Sequence, residues 1–468
     1  MGNQASSQTS IPASQIDEFA QAISGKLLKP GTTSYDDSRA LWNGMFDRRP
    51  SFIAQCESTE DVVQAVNFAR DHQLLLSIKG GGHNSAGTGC CDQGMAIDLS
   101  KMNRVAVHAG SKRVFVGGGA LISDVDAATQ QFGLAVPAGI ISHTGVGGLT
   151  LGGGFGWLSR KYGFTVDHLV SAEIVTAAGE VLRIDKTNHP DLFWAIKGGG
   201  GNFGVVTEFE FDCVDAGPEI YSGAIVKAFE DRVSYLKFHR DFVEQMSEDL
   251  TAWTVMRHAP PLPFIPEQYH GKMVMLVPFC WLGDEESGRE ATQPIRDAGT
   301  TLGDGSAMHP YVGWQQAFDP LVSHGARNYW KSHHLKSLSD DCIEVLADFA
   351  NRLPSAETEI FTAHMAGATT APGRPELPIS MQGCPFVLNV HTRWRNRADD
   401  DTCIQWARDF HAATQPFANG VYVNFLTDQN QARAKAAYNE KTWNKLVEVK
   451  QKWDPSNLFR VNMNIKPS

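Results

Sequence analysis

The 468-residue chain lacks the short signatures of several common chemistries. Its eight cysteines, Cys56, Cys90, Cys91, Cys213, Cys280, Cys342, Cys384 and Cys403, form no C-x-x-C pair. That argues against a zinc site or a dithiol centre, and the thiols are expected to be buried and free. No G-x-x-x-x-G-K-[ST] is present, so no P-loop, and no G-x-S-x-G, so no nucleophile elbow. No apolar run approaches the roughly 20 residues that span a membrane. The polar N-terminus, MGNQASSQTS, has no apolar stretch like that of a secretory leader. Positive charge is also short: 41 Lys and Arg face 52 Asp and Glu, a net charge of -11. A nucleic-acid surface would need the opposite balance. The expectation is an intracellular monomer with no metal site, no nucleic-acid partner and no transmembrane segment. Gly2 and Ser6 match the M-G-x-x-x-[ST] acylation pattern, which would add only a weak membrane tether.

The length exceeds what one hydrophobic core usually supports, so two domains are expected. Glycine is concentrated between Gly80 and Gly204, among short β-branched runs: LLLSI (74–78), RVFVGG (113–118), AEIVTA (172–177) and VVTEFEFD (205–212). Three-to-four spacing of Val62, Val63, Val66 and Ala69 predicts a helix over 59–72. A second helix is predicted over 122–133, with Gly133 as its C-cap. Beyond about residue 214 glycine thins out. Strands are predicted at 270–281 and 386–394, and helices at 229–246, 399–414 and 431–454.

Three glycine clusters dominate. Lys79-Gly80-Gly81-Gly82-His83-Asn84 follows an apolar strand, and such a loop suits a pyrophosphate. Residues 142–156 hold seven glycines, too many for a stable helix or central strand. The chain there must pack closely on other backbone or on a large cofactor, and the cofactor is the favoured reading. The third cluster, Gly198 to Gly204, contains G-x-G-x-x-G, but a strand-like run follows it where a nicotinamide-binding turn needs a helix.

With these residues in view, the chain resembles the berberine bridge enzyme-like family, FAD-linked oxidoreductases of the vanillyl-alcohol oxidase type. The marks are KGGGHN (79–84), SHTGVGGLTLGGGFGWLSRKYG (142–163), DLFWAIKGGGGNFGVVTEFEF (191–211), GARNYWKS (325–332), YVNFL (422–426) and DPSNLFRVNMNI (454–465). The resemblance implies a two-domain α+β fold. Residues 1–213 and 418–468 would form the FAD-binding domain, and residues 214–417 a substrate domain with an antiparallel sheet covered by helices. It implies FAD bound covalently through His83. Ile141 stands where many members carry a second, cysteinyl attachment, so one bond is expected, with a lower flavin potential and a more open site. The implied cofactor contacts are Lys79, Gly80, Gly81, Gly82, His83, Asn84, Gly87, Ser142, His143, Thr144, Gly147, Gly148, Gly152, Gly153, Gly154, Val206, Asn462 and Asn464. Met463 replaces the usual Gln of the tail and cannot make its amide bonds.

The chemistry implied is hydride transfer from a hydroxyl-bearing carbon to FAD, with molecular oxygen as acceptor and hydrogen peroxide as product. A base must take the hydroxyl proton. Related sequences often carry Asp where this chain has Asn396, so Asn396 marks either the position of a lost base or a helix cap. Tyr422 and Asn424 are predicted to share one face of a strand, and Tyr422 could orient or deprotonate the hydroxyl. Tyr329 and Lys331 are further candidates, Lys331 as the charge that would lower the pKa of a tyrosine. Leu169 or Val170 matches the position that controls oxygen access. The preferred substrate class is an aldose or oligosaccharide such as cellobiose, oxidised at C1 to a lactone. The alternatives are an aromatic or alkaloid-like metabolite, and a flavin-binding protein without efficient turnover.

Overall fold

The structure is a computed structural model. It describes residues 11–379, 383–427 and 431–468, the side chains of 431–433 excepted; the Gly2 pattern lies outside these. The first half builds two sheets. Strands β1 (Lys26–Leu28), β2 (Phe52–Gln55), β3 (Leu76–Lys79) and β4 (Met95–Asp98) form one, in the order β1-β2-β4-β3. The second uses β5 (Val105–His108) and β6 (Arg113–Gly117). After a short strand, β7 (Leu134–Ala135), it continues with β8 (Leu169–Val175), β9 (Val181–Asp185) and β10 (Val205–Asp212), ordered β5-β6-β10-β8-β9. The helix Thr59–Asp71 packs between them, started by the Ser58 hydroxyl on the Asp61 amide. The predicted helix at 122–133 is Ile122–Thr129 plus a tight last turn, closed by Gly133 at φ 66°.

The crossover between halves is the pairing of β7 with β11 (Val214–Asp215). An antiparallel sheet of eight strands follows. It comprises β12 (Glu219–Ala228), β13 (Leu250–His258), β14 (Met273–Trp281), β15 (Thr301–Asp304), β16 (Ala307–Pro310), β17 (Arg327–Leu335), β18 (Glu359–His364) and β19 (Phe386–Trp394). The order is β15-β12-β14-β13-β18-β19-β17, with β16 beside β12. Side chains on a strand alternate between faces. Ala252, Met256, Met275, Val277, Phe279, Ile360, Leu388 and Val390 pack in one core under helices Arg232–Gln245, Asp340–Ala350 and Asp400–Thr414. The opposite parity faces the first half of the chain.

The C-terminal region returns to that first half. The helix predicted over 431–454 is two helices, Gln431–Ala436 and Glu440–Trp453. Asn439 breaks the run because its side chain caps the Thr442 amide at 2.8 Å and starts the second helix afresh. All eight cysteines are buried free thiols. Among the described residues, no helix is long and apolar enough to cross a membrane.

Candidate active site

A cavity of about 340 Å³ lies between the glycine-rich loops and the free face of the eight-stranded sheet. The loops supply Lys79, Gly80, Gly81, Gly82, His83, Asn84, Ile141, Thr144, Gly147, Gly148, Gly199, Gly200, Gly201 and Asn202. Val206 and the tail residues Asn462 and Met463 complete that side. The sheet supplies Trp253, Val255, Arg257, Leu276, Pro278, Trp330, Glu359, Phe361 and His391, with Tyr422, Asn424 and Phe425 beside them.

The glycines serve close backbone packing at some positions and leave open space at others. A Cβ on Gly81 would stand 2.4 Å from the Gly145 nitrogen, and one on Gly145 would stand 2.3 Å from the Gly81 nitrogen, so these two loops touch backbone to backbone. Gly148 and Gly201, in contrast, have nothing within 4 Å of a built Cβ, and both line the cavity. At these two positions the chain leaves room that a side chain would otherwise take. The side-chain oxygen of Asn462 is buried there without a partner, while its Nδ2 donates to Gly201 O at 3.0 Å. A wall of glycine amides, an orphaned amide oxygen and a histidine at the loop end fit a flavin dinucleotide.

The tail is fastened to the third loop through Asn202. Its Nδ2 donates to Met463 O at 3.1 Å, and its Oδ1 accepts from the Ile465 amide at 2.9 Å. Met463 therefore contributes through its carbonyl, which no side-chain change removes. Lys450, wholly buried, donates to Asn202 O (2.7 Å), Phe459 O (2.9 Å) and Asp454 (2.6 Å).

His83 stacks on Trp42 at 4.7 Å, and its Nε2 lies 2.6 Å from His143 Nδ1. His324 completes a trio whose ligand-capable atoms lie within 4.8 Å of one another. Burial, then the neighbouring His143, His324 and Arg393, holds the His83 pKa well below the usual histidine range. Burial likewise lowers His143.

The remaining loop residues support the site from outside the cavity. Ser142 is held by Asp319, its amide at 2.9 Å. Gly87 packs against Phe46, and the Asn464 side-chain oxygen is buried without a partner. Gly154 donates its amide to the Tyr422 hydroxyl at 3.0 Å, and Gly152 lies against the Asn424 side chain. Gly153 takes φ 116° between them. Leu169 and Val170 begin β8, and neither is among the residues that line the cavity.

Several expected catalytic residues stand elsewhere. Asn396 is exposed, away from the cavity, and its Oδ1 accepts from the Ala398 amide at 3.1 Å; it is a helix cap. Tyr329 and Lys331 have the wrong strand parity. Tyr329 packs in the core beneath the helices, with Lys331 Nζ 4.8 Å from its ring, while Trp330 between them faces the cavity. Residues 421–425, expected as a strand, form a turn ending in the 3-10 segment Val423–Phe425. Tyr422 and Asn424 do meet, at 3.0 Å, because the tight turn aims both at the second glycine loop. Burial pushes the Tyr422 hydroxyl up to about 12, against the opposing bonds from Gly154 and Asn424. Among the described residues, no cation lowers it.

The sheet holds a group that the sequence reading missed. Glu359 Oε1 lies 2.8 Å from His391 Nδ1, and Glu359 Oε2 lies 2.5 Å from Arg257. Burial pushes the Glu359 carboxyl up, but the Arg257 charge and the His391 bond outweigh it and hold it at about 2. In a neutral ring that donates Nδ1–H to this ionised carboxylate, Nε2 is left with the lone pair. That nitrogen is buried and has no partner. Trp330 stacks on the ring at 4.3 Å. The signal available in sequence was parity: His391 and Glu359 sit in apolar strands on the face opposite the helix-covered residues.

Comparison with known proteins agrees with this architecture. The family model described as FAD binding domain matches residues 50–185, and the one described as berberine and berberine like matches 421–466. An FAD-linked oxidoreductase of Dictyostelium discoideum is 31% identical over 97% of both chains. The (R)-6-hydroxynicotine oxidase of Paenarthrobacter nicotinovorans is 27% identical, covering 95% of this chain and 97% of that one. The solved 6-hydroxy-D-nicotine oxidase of Arthrobacter nicotinovorans superposes with a TM-score of 0.85 at 27% identity, over 95% of this chain and 98% of that one. Over a shorter stretch, 40% of this chain and 38% of the relative, the glucooligosaccharide oxidase of Sarocladium strictum is 37% identical. With its glycine-walled cavity closed by its own C-terminal tail, the chain belongs to the berberine bridge enzyme-like family of FAD-linked oxidoreductases.

Proposed function

We propose that this oxidoreductase holds FAD covalently through His83 alone and oxidises a compact aromatic or alkaloid-like metabolite at a carbon bearing a hydroxyl or amine. FAD, when bound, supplies the hydride acceptor, and molecular oxygen regenerates it. His391 Nε2 takes the substrate proton. Glu359 fixes the tautomer that leaves this nitrogen free, and Arg257 keeps Glu359 ionised. The observation that carries the reading is the orphaned Nε2: a buried acceptor without a partner costs roughly 1–3 kcal/mol, which a substrate O–H or N–H would recover.

The substrate class follows from the wall. Trp253, Trp330, Phe361 and Phe425 line the cavity beside the dyad with Val255, Leu276 and Pro278, so the sheet side is largely aromatic and apolar. Flat apolar rings suit this surface through stacking. The similarity to a nicotine oxidase over nearly the whole chain supports the same class. Oxidation of an aldose or oligosaccharide at C1 is the second reading, supported by the cavity-facing Trp253 and Trp330, which can stack on sugar faces. A weakly turning flavin-binding protein loses its motive, because Asn396 is a cap.

Anaerobic mixing of the flavin-loaded protein with hydroxylated aromatic amines, aromatic alcohols and aldoses tests this directly. Bleaching of the visible flavin band by an aromatic donor, and slow or no bleaching by sugars, is expected. Bleaching by cellobiose or another aldose alone would replace the aromatic reading with the sugar one.

A further inference from the structure

Three indoles stand in single file between the cavity and the outside. Trp253, on β13, lines the cavity, and neither Trp157 nor Trp314 is among its lining residues. Trp157, just after the second glycine cluster, stacks on Trp253 with ring centres 4.4 Å apart and planes 21° apart. Trp314, on the helix Tyr311–Gln316, follows with its ring centre 5.3 Å from that of Trp157. Trp253 and Trp157 are each 1% exposed and Trp314 is 6% exposed, so the file runs outward. We propose that these indoles carry oxidising equivalents out of the cavity. Electrons step inward along the file to quench a radical formed beside the flavin, and the electron hole comes to rest at Trp314, where a reductant in solvent fills it. This rests on the reading that dioxygen is reduced in the cavity.

Packing alone does not account for the polar atoms of the file. A buried indole N–H usually finds an acceptor. Those of Trp42, Trp194, Trp281, Trp394 and Trp453 each donate to an oxygen. The Nε1 atoms of Trp253, Trp157 and Trp314 are buried without a partner. An oxidised indole is a strong N–H acid, and an acceptor that took the proton would trap the hole on that ring. Without one, the ring stays a cation and draws an electron from the next indole in contact.

Ring chemistry sets where the hole settles. An indole yields an electron more readily than a phenyl or imidazole ring. Phe361 meets Trp253 edge-on at 5.1 Å and stacks on His391 at 5.8 Å, so a hole near the proposed base is drawn to Trp253. Trp330, the other cavity indole, also has an unpartnered Nε1, but it meets Trp42, which is wholly buried, so that branch ends inside. A hydroxyl radical, the product of one-electron cleavage of hydrogen peroxide, takes one electron from Trp253 and becomes hydroxide. Trp157 returns one electron to Trp253, and Trp314 one to Trp157. A thiol in solvent gives one electron to Trp314 and releases one proton. The net change turns one hydroxyl radical and one thiol into water and a thiyl radical, and no bond in the protein forms or breaks.

Blue light makes the bound flavin itself a one-electron oxidant, so the file can be driven without substrate. The full-length, flavin-loaded protein is flashed under argon, and the tryptophanyl radical is followed by its visible absorption. A nitroso spin trap, added in parallel, is located by peptide mass. The wild type is expected to give a long-lived radical and an adduct on the peptide containing Trp314. Trp157→Phe keeps a ring in the stack but breaks the file, so the radical should recombine quickly and the Trp314 adduct should be lost. Trp314→Phe should also shorten the lifetime, and it supplies the comparison if Trp157→Phe does not fold. Trp406→Phe, in the helix-covered core, should change neither readout. Wild-type lifetimes in both file variants, or no adduct at Trp314 in the wild type, would overturn the proposal. A photoreduced protein that yields no hydrogen peroxide in air would instead overturn the reading of dioxygen as the acceptor.

Discussion

Glu359 and His391 are register partners on adjacent antiparallel strands, and the carboxylate lies 2.8 Å from the imidazole Nδ1. Direct cross-strand neighbours are the closest side chains a sheet offers, so the pair is set by backbone pairing rather than by a mobile loop. His391→Ala should slow flavin reduction by roughly 100- to 10,000-fold, with the flavin still bound. Glu359→Gln should slow it too, through loss of the tautomer. It should also destabilise the fold by about 3–5 kcal/mol, because Arg257 is left buried without its counter-charge. Stopped-flow reduction and urea denaturation separate the two effects; unchanged reduction rates in both variants would remove the dyad from the chemistry.

Tyr422 should behave as a structural hydroxyl. It accepts from the Gly154 amide and from Asn424, and it stays neutral at working pH. Tyr422→Phe leaves a buried amide unpaired, so a loss of about 1–3 kcal/mol of stability is expected. The pH profile of flavin reduction should not move. A shifted alkaline limb would return Tyr422 to the role of base.

Asn396→Asp is expected to leave the reduction rate unchanged, since Asp caps a helix as well as Asn and the position is exposed. A rate gain would place this residue nearer the substrate than the structure does.

Asp126 gives the protein a pH dependence of its own. Burial raises its carboxyl to about 7, opposed only by the Gln315 amide at 3.2 Å, and its Oδ1 has no partner. The folded value stands above the ordinary 3.8, so the folded state favours the protonated acid. The stability this group contributes is full below about pH 4 and is lost as pH rises towards 7. Asp126→Asn should therefore raise stability at pH 8 by about 1–3 kcal/mol and change little at pH 4. Denaturant titrations at both pH values check this, and equal effects at the two would contradict it.

Much of this was readable in the chain itself. That the glycine loops gather at one cavity was legible because a run of glycines has few structural uses, while the place of His83 and of the tail on its wall came from the family resemblance. The strands at 270–281 and 386–394 and the helices at 229–246 and 399–414 were legible from period and length, but 431–454 divides at Asn439 and 421–425 is a turn rather than a strand. What escaped was parity. Trp330, Tyr329 and Lys331 are neighbours in sequence, yet only Trp330 faces the cavity, and nothing local says which face of a strand will be covered by helices. The pairing of Glu359 with His391 escaped for a related reason: their strands are separated by a long connection, and register is a property of the folded sheet. At Asn396 the sequence left a helix cap and a lost base equally open, and the structure gives the cap.

Lys450→Met should test the anchoring of the tail. The lysine bridges Asn202 O, Phe459 O and Asp454 with no exposure to solvent. Its loss should cost about 3–5 kcal/mol and weaken flavin retention, measured by ultrafiltration of the loaded protein. Full retention would mean the third loop holds its shape without the tail.

The hold of Met463 and Ile465 on Asn202 also makes one side of the cavity a long-range feature of the chain. The residues it joins lie 261 and 263 positions apart in sequence, so this wall of the cavity carries a loop-closure cost that the local strand pairings do not. A change that loosened the clasp would open the pocket without unpairing a strand.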